Sequence, residues 1–272
     1  MVNMKKIEVN NPFNAPVYHE KTVGSTMDVA RVLAENGEPC GTVIAADFQE
    51  AGRGRIRGRL WEMEKENSLP FTVLLRYPRI EDIPPALTLR TGLALALAIE
   101  DFSPSLAGTV MIKWPNDILI RDAHTAKKAA GILAEAENGN VYIGIGVNIG
   151  QKHFPSHLRD KATSIGLAAG LLTGKADQFT LLEKILARLY DEIGGGGVEP
   201  ARADWQRRIE ARLYNIGRQV SFAEGAADSG KIVSGILTGI GQGGELLIYT
   251  DTGPRSFSAG ELLFPSADSG RS

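Results

Sequence analysis

One cysteine, Cys40, is all the thiol chemistry this 272-residue chain has. It excludes an intrachain disulfide framework and fits a reducing, cytoplasmic setting. Histidine is as scarce, at positions 19, 124, 153 and 157. Only His153 and His157 have a ligand-like spacing, and Pro155 between them breaks the helix that would align their rings. No apolar run reads as a membrane span, and the N-terminus MVNMKKIEVNNPF lacks the apolar core of a signal peptide. A net charge of −2 excludes a broad basic face for nucleic acid or membrane. Also missing are a phosphate-binding G-x-x-x-x-G-K-[ST] loop and a nucleophile elbow; GLLTGKA at Gly170–Ala176 has the wrong spacing.

Against this sparse background, GRGRIRGRLW at Gly52–Trp61 stands out. Arg53, Arg55, Arg57 and Arg59 alternate with Gly52, Gly54 and Gly58. Four guanidiniums do not bury unpaired, and the glycines weaken any helix. The stretch reads as a mobile loop that wraps a polyanion, with backbone N–H groups and forked donors meeting phosphate oxygens.

Around this loop the spacing predicts a helix over GSTMDVARVLAENG, with Ser25 or Thr26 as N-cap, Ala30, Leu33 and Ala34 as the apolar stripe, and Gly37 at C′. Strands follow at Thr42–Asp47 and Leu69–Leu75, Pro70 placing the latter at an edge or a strand start. A buried helix is expected over Pro84–Ile99, and strands at Thr109–Lys113 and Ile118–Ile120 either side of a WPND loop. Lys127–Glu137 and Val141–Ile149 pair as a hairpin about Asn138–Gly139. Helices are expected over Phe179–Ile193, ended by Gly194–Gly197, and over Glu199–Leu213. Beyond 213 short strands at Arg218–Phe222, Lys231–Ile240, Glu245–Thr250 and Arg255–Ala259 read as a small all-β barrel. GIGQGG at Gly239–Gly244 matches a dinucleotide fingerprint on paper, but a strand follows it instead of a helix.

Two further clusters carry chemistry. KWPND at Lys113–Asp117 gathers a cation, an aromatic, an amide and a carboxylate at a strand exit. KKAAGIL at Lys127–Leu133 drives lysines into a small-residue strand where Gly131 permits close approach of a ligand.

Taken together, GSTM, FQEAGRGR…GRLW, KWPND, KKAAGIL and GIGVNI (Gly144–Ile149) resemble, in order and over nearly the whole chain, the biotin protein ligases of the monofunctional type, without an N-terminal DNA-binding domain. The resemblance implies an α+β fold: a mixed β-sheet flanked by helices, as in class II aminoacyl-tRNA synthetases, over residues 1–213. A small C-terminal SH3-like β-barrel would occupy 214–272. It implies an enzyme that activates biotin with ATP and passes it to a lysine of a biotin carboxyl carrier protein domain of acetyl-CoA or pyruvate carboxylase, with Mg2+ on the ATP phosphates.

By position, Ser25, Thr26, Met27, Gln49, Gly54 and Gly131 would contact biotin, the hydroxyls and amide taking its ureido group. Arg53 and Arg55 would hold phosphates and adenylate, Trp61 would pack on adenine near Asn116 and Asn148, and Lys113 and Asp117 would complete the polar wall. Lys128 would bridge the biotin carboxylate and the α-phosphate. The family spacing is GRGRxGRxW; here Ile56–Arg57 replaces one residue, so roles for Arg57 and Arg59 stay open. No DNA or membrane partner is expected, and a homodimer is one assembly the resemblance allows. The rivals are a lipoate or octanoyl transferase of the same superfamily and a biotin-sensing module without catalysis.

Overall fold

The computed structural model describes residues 4–55, 61, 67–170, 177–194, 203–225 and 231–263. Arg57, Arg59, Gly195–Gly197 and the start of the helix expected from Glu199 lie outside the described residues.

The chain runs β1 (Lys5–Lys6), β2 (Val17–Val23), α1 (Thr26–Glu35), β3 (Val43–Gln49), β4 (Ser68–Arg76), α2 (Leu87–Phe102), β5 (Val110–Lys113), β6 (Asp117–Arg121), β7 (Ala126–Glu137), β8 (Asn140–Asn148), α3 (Ile165–Ala169), α4 (Asp177–Ile193) and α5 (Trp205–Glu210). The first eight strands form one sheet in the order β1-β2-β3-β4-β8-β7-β6-β5. The β2–β3 pair is parallel and every other pair in it is antiparallel, so the sheet is mixed.

Nearly continuous apolar runs such as SLPFTVLLR bury on both faces, which requires helices on each side. On one face α1 lays Met27, Ala30 and Leu33 against Ile44, Leu74 and Tyr142. On the other, α2 and α4 bring Leu93, Leu95, Ile99, Leu182, Ile185, Leu186 and Leu189 into the main core. Pro70 does not push β4 to the edge. It sits near the start of an interior strand, beyond the last β3 pair, Phe71 with Ala45, so that ladder ends before the missing N–H. The hairpin turns at Asn138 (φ 52°) and Gly139 (φ 75°), two successive left-handed residues as a two-residue I′ turn demands.

The stretch Ile80–Phe102 is long and apolar enough to cross a membrane by composition, which corrects the reading that no such run exists. In the fold 67% of that window is buried inside the protein. Even Arg90 is drawn in, facing Glu192 at 3.5 Å and the Trp205 ring at 5.6 Å.

The C-terminal segment adds β9 (Gln219–Glu224), β10 (Lys231–Ile240), β11 (Leu246–Thr250), β12 (Gly253–Phe257) and β13 (Gly260–Leu262). Among the described residues these form an antiparallel sheet, β12-β11-β10-β9-β13, open at both edges and not the closed barrel expected. Gly241–Gly244 is its β10–β11 turn and carries no helix, as a dinucleotide site would need. The sheet docks through Trp114, whose Nε1 donates to Gly244 O at 2.9 Å while its ring meets Phe222 at 5.7 Å.

Candidate active site

Where α1 begins and β3 ends, a cavity opens over β7 and β8. Ser25, Thr26, Met27, Gln49, Arg53, Gly54, Arg55, Trp61, Asn116, Lys128 and Gly131 line it, with Ile132, Leu133, Gly144, Ile145 and Gly146. Its wall differs from end to end, with hydroxyls and an amide at one end, apolar side chains and bare backbone in the middle, and cations at the other.

The polar end is built by the β3-to-α1 neighbourhood. Ser25 stands at the N-cap position in extended conformation, but its side chain caps nothing, contrary to the expected role. The Thr26 N–H instead donates to Gln49 Oε1 at 2.7 Å, and Thr26 Oγ1 donates to the same oxygen at 2.9 Å. The helix start is thus closed by a side chain from the next strand, which leaves the Ser25 hydroxyl to the cavity.

In the middle, glycine does the shaping. An added Cβ at Gly144 would lie 2.9 Å from the Met27 sulfur, and at Gly146 2.7 Å from the Trp61 indole. At Gly131 it would lie 3.0 Å from that indole and 3.2 Å from Lys128 Nζ. Trp61 therefore rests on two glycines of neighbouring strands, and the space left encloses about 70 Å³. The indole N–H is buried without a hydrogen-bond partner, and such a group pulls towards any ligand that supplies an acceptor.

Lys128 reaches the cavity because β7 bulges. Ile118 pairs with Ala130 and Leu119 with Lys128, leaving Ala129 extra. Without that residue Lys128 and Gly131, three apart, would point to opposite faces; with it they share one. The ammonium lies 2.6 Å from Asp117 Oδ1 and 5.2 Å from the centre of the Trp61 ring. The bulge is held by the following loop, Lys128 N–H donating to Lys161 O and Thr163 N–H to Lys128 O.

The two described loop arginines are tethered, where the sequence suggested that nothing covers them. Arg53 makes a bidentate pair with Asp28 of α1, at 2.6 and 2.9 Å. Hydrogen bonding from Arg53 holds the Asp28 carboxyl below its ordinary value. Arg55 donates to Gly260 O at 2.9 Å, tying the loop to β13.

Three expected residues are off the cavity wall. Lys113 is buried behind it, where desolvation pushes its ammonium down against the raising effect of the Asp117 and Glu261 carboxylates. Asp117 acts from beside Lys128. Asn148 is buried and donates to Thr163 O at 3.0 Å, supporting the loop that holds Lys128. Asn116 lines the cavity and is locked by Nδ2 donating to Ile132 O at 2.8 Å. The sequence reading gave no role to Leu133 or Glu261; the alternation of β7 marks the first, and nothing local marks the second.

A cavity polar at one end and cationic at the other suits an acid with a hydrogen-bonding head whose carboxylate must meet a polyanion. That defines an acid-activating ligase. Residues 21–151 match a profile described as the biotin/lipoate A/B protein ligase family. The bifunctional ligase/repressor BirA of Bacillus subtilis (strain 168) is 34% identical over 260 residues, covering 90% of this chain and 73% of that protein. The biotin--[acetyl-CoA-carboxylase] ligase of Paracoccus denitrificans is 30% identical over 232 residues, covering 81% and 89%. Among solved structures, biotin protein ligase from Aquifex aeolicus in complex with biotin and ATP superposes with a TM-score of 0.74 at 27% identity, covering 91% of this chain and 97% of that one. The chain belongs to the biotin/lipoate A/B protein ligase family, on its biotin protein ligase branch.

Proposed function

We infer that this chain activates biotin with ATP and transfers it to a lysine of a carboxylase carrier domain. A biotin carboxylate oxygen attacks the α-phosphorus, the bond to pyrophosphate breaks, and biotinyl-AMP forms. The carrier lysine amine then attacks the acyl carbon, loses a proton, and AMP leaves as the amide forms. Both partners of the first step are anions, so a fixed cation between them is the main requirement. Groups aimed in this way are typically worth about 10²–10³ in rate.

The observation that carries the reading is Lys128, brought by a backbone bulge onto the same face as the Thr26–Gln49 cluster and paired with Asp117 at 2.6 Å. Arg53 and Arg55 would exchange their present partners for phosphate oxygens, and Trp61 would move onto the adenine. Among the described residues no three His, Cys, Asp or Glu side chains are grouped to hold a metal. Mg2+ therefore has no protein cage here, belongs with the ATP phosphates as part of the substrate, and carries no step. Residues 1–213 would supply the catalytic unit, with 214–272 closing its nucleotide end through β13.

Pyrophosphate release measured with biotin, with lipoate and with neither acid tests this. Release with biotin alone is expected. Release only with lipoate would move the chain to the other branch of its family.

A further inference from the structure

Thr72 stands at the centre of β4, fully buried and outside the cavity wall. It pairs across the sheet with Gly144, whose missing side chain lets the start of α1 come down onto the strand. Its hydroxyl donates to Thr26 Oγ1 at 2.8 Å, and Thr26 Oγ1 donates to Gln49 Oε1 at 2.9 Å. The direction of this relay is forced. A carboxamide oxygen only accepts, so the single hydroxyl proton of Thr26 goes to Gln49, and that of Thr72 must go to Thr26. The Thr26 N–H, at 2.7 Å from the same oxygen, fixes the amide with its oxygen inward. The –NH2 group is then on the side of Gly52, where an added Cβ would lie 3.0 Å from it.

The polar end of the cavity is thereby given a polarity. Gln49 offers donors, and Thr26 offers a remaining lone pair. A ligand head that satisfies both needs an acceptor beside an N–H, as a cyclic urea has and a dithiolane ring or alkyl chain does not. We propose that Thr72 is a positioning residue that sets this polarity and, resting on the reading of biotin as substrate, the preference for a urea head over a dithiolane. A β-branched hydroxyl residue suits the task, because its side-chain rotamer is stiff in a strand and its proton stays aimed.

The test compares Thr72→Val, which keeps the shape and removes the donor, with Thr72→Ser, which keeps the donor. Calorimetry gives the biotin affinity, and turnover gives the KM for ATP and the ratio of biotin to lipoate kcat/KM. In Thr72→Val biotin binding should weaken about tenfold, the size of one hydrogen bond lost from a buried network. The biotin-to-lipoate ratio should fall by a similar factor while the KM for ATP is unchanged, and Thr72→Ser should stay within about twofold of the parent. Parental affinity in Thr72→Val overturns the relay, and so does equal weakening in Thr72→Val and Thr72→Ser, which would mean packing alone. A parent that binds no biotin overturns the substrate reading and the proposal with it. If Thr72→Val does not fold, Gln49→Glu, which leaves β4 intact and replaces the donating amide by acceptors, carries the test. Biotin binding should then drop at least about a hundredfold, and parental binding would overturn the proposal.

Discussion

Replacing Gly131 by alanine should leave the fold standing and disable the site. The backbone at Gly131 is not left-handed, so a side chain adds no conformational strain. The new methyl would lie 3.0 Å from Trp61 Cζ3 and 3.2 Å from both Cε and Nζ of Lys128. These are closer than ordinary contacts, but each belongs to a side chain that can give way. A methyl forced into a rigid core costs about 1–3 kcal/mol. Here about 1 kcal/mol is expected, a fall in melting midpoint of roughly 2–4 °C for a chain of this size. The catalytic cost is larger, because the methyl displaces the ammonium that must lie between two anions. A misplacement near 1 Å costs about 10² in rate. Biotin-dependent pyrophosphate exchange in Gly131→Ala should therefore fall about a hundredfold. Gly24→Ala, where nothing lies within 4 Å of the added Cβ, should keep near-parental exchange. Parental exchange in Gly131→Ala would refute the argument that Lys128 is held against a bare strand for its chemistry.

Other outcomes follow from the same geometry. Arg55→Gly removes the tie to Gly260 O, so the adenylate should dissociate faster and label a bystander such as serum albumin; retention as long as the parent's would deny the loop a shielding role. Asp28→Asn frees Arg53 from its carboxylate, but the pair is exposed, so the stability change should stay below about 1 kcal/mol by denaturant titration. The folded-state value of Asp28 is depressed, so its small contribution is present above the unfolded value and is lost as pH falls through the folded one. Glu192 is the opposite case, since burial raises it despite Arg208 and Arg90. Its contribution is full below the ordinary value of 4.5 and is lost as pH rises through the folded value. Glu192→Gln should show a flatter melting midpoint against pH above that value, on a fold weakened by about 3–5 kcal/mol from the broken buried pair.

The elements best legible in the sequence are those whose period and punctuation agree. Asn138–Gly139 between two β-rich runs gave the longest hairpin, and Leu182, Ile185, Leu186 and Leu189 gave the buried face of α4. What the sequence hid depends on partners far along the chain. Ser25 looks like a cap, and only the return of Gln49 beside Thr26 removes that job. Pro70 looks like an edge residue because its position relative to the end of β3 is a tertiary fact. The short β13, which anchors Arg55, has a Gly-Glu-Leu sequence too brief to show alternation. Of the site, the charged and glycine positions were visible as motifs. Thr72 was not, since a threonine in a strand is what strand propensity alone would place there. The bulge at Ala129 was equally silent, although KKAAGIL put Lys128 and Gly131 three apart, a spacing no regular strand can bring to one face.

The central claim is tested most directly by the mass of an acceptor. The chain is incubated with ATP, biotin and an isolated carboxylase carrier domain, beside Lys128→Ala of equal fold and biotin affinity. The parent should add one biotinyl group to the carrier lysine, and Lys128→Ala should add none over the same time. A carrier left unmodified by the parent, or modified at the parental rate by Lys128→Ala, would contradict the account.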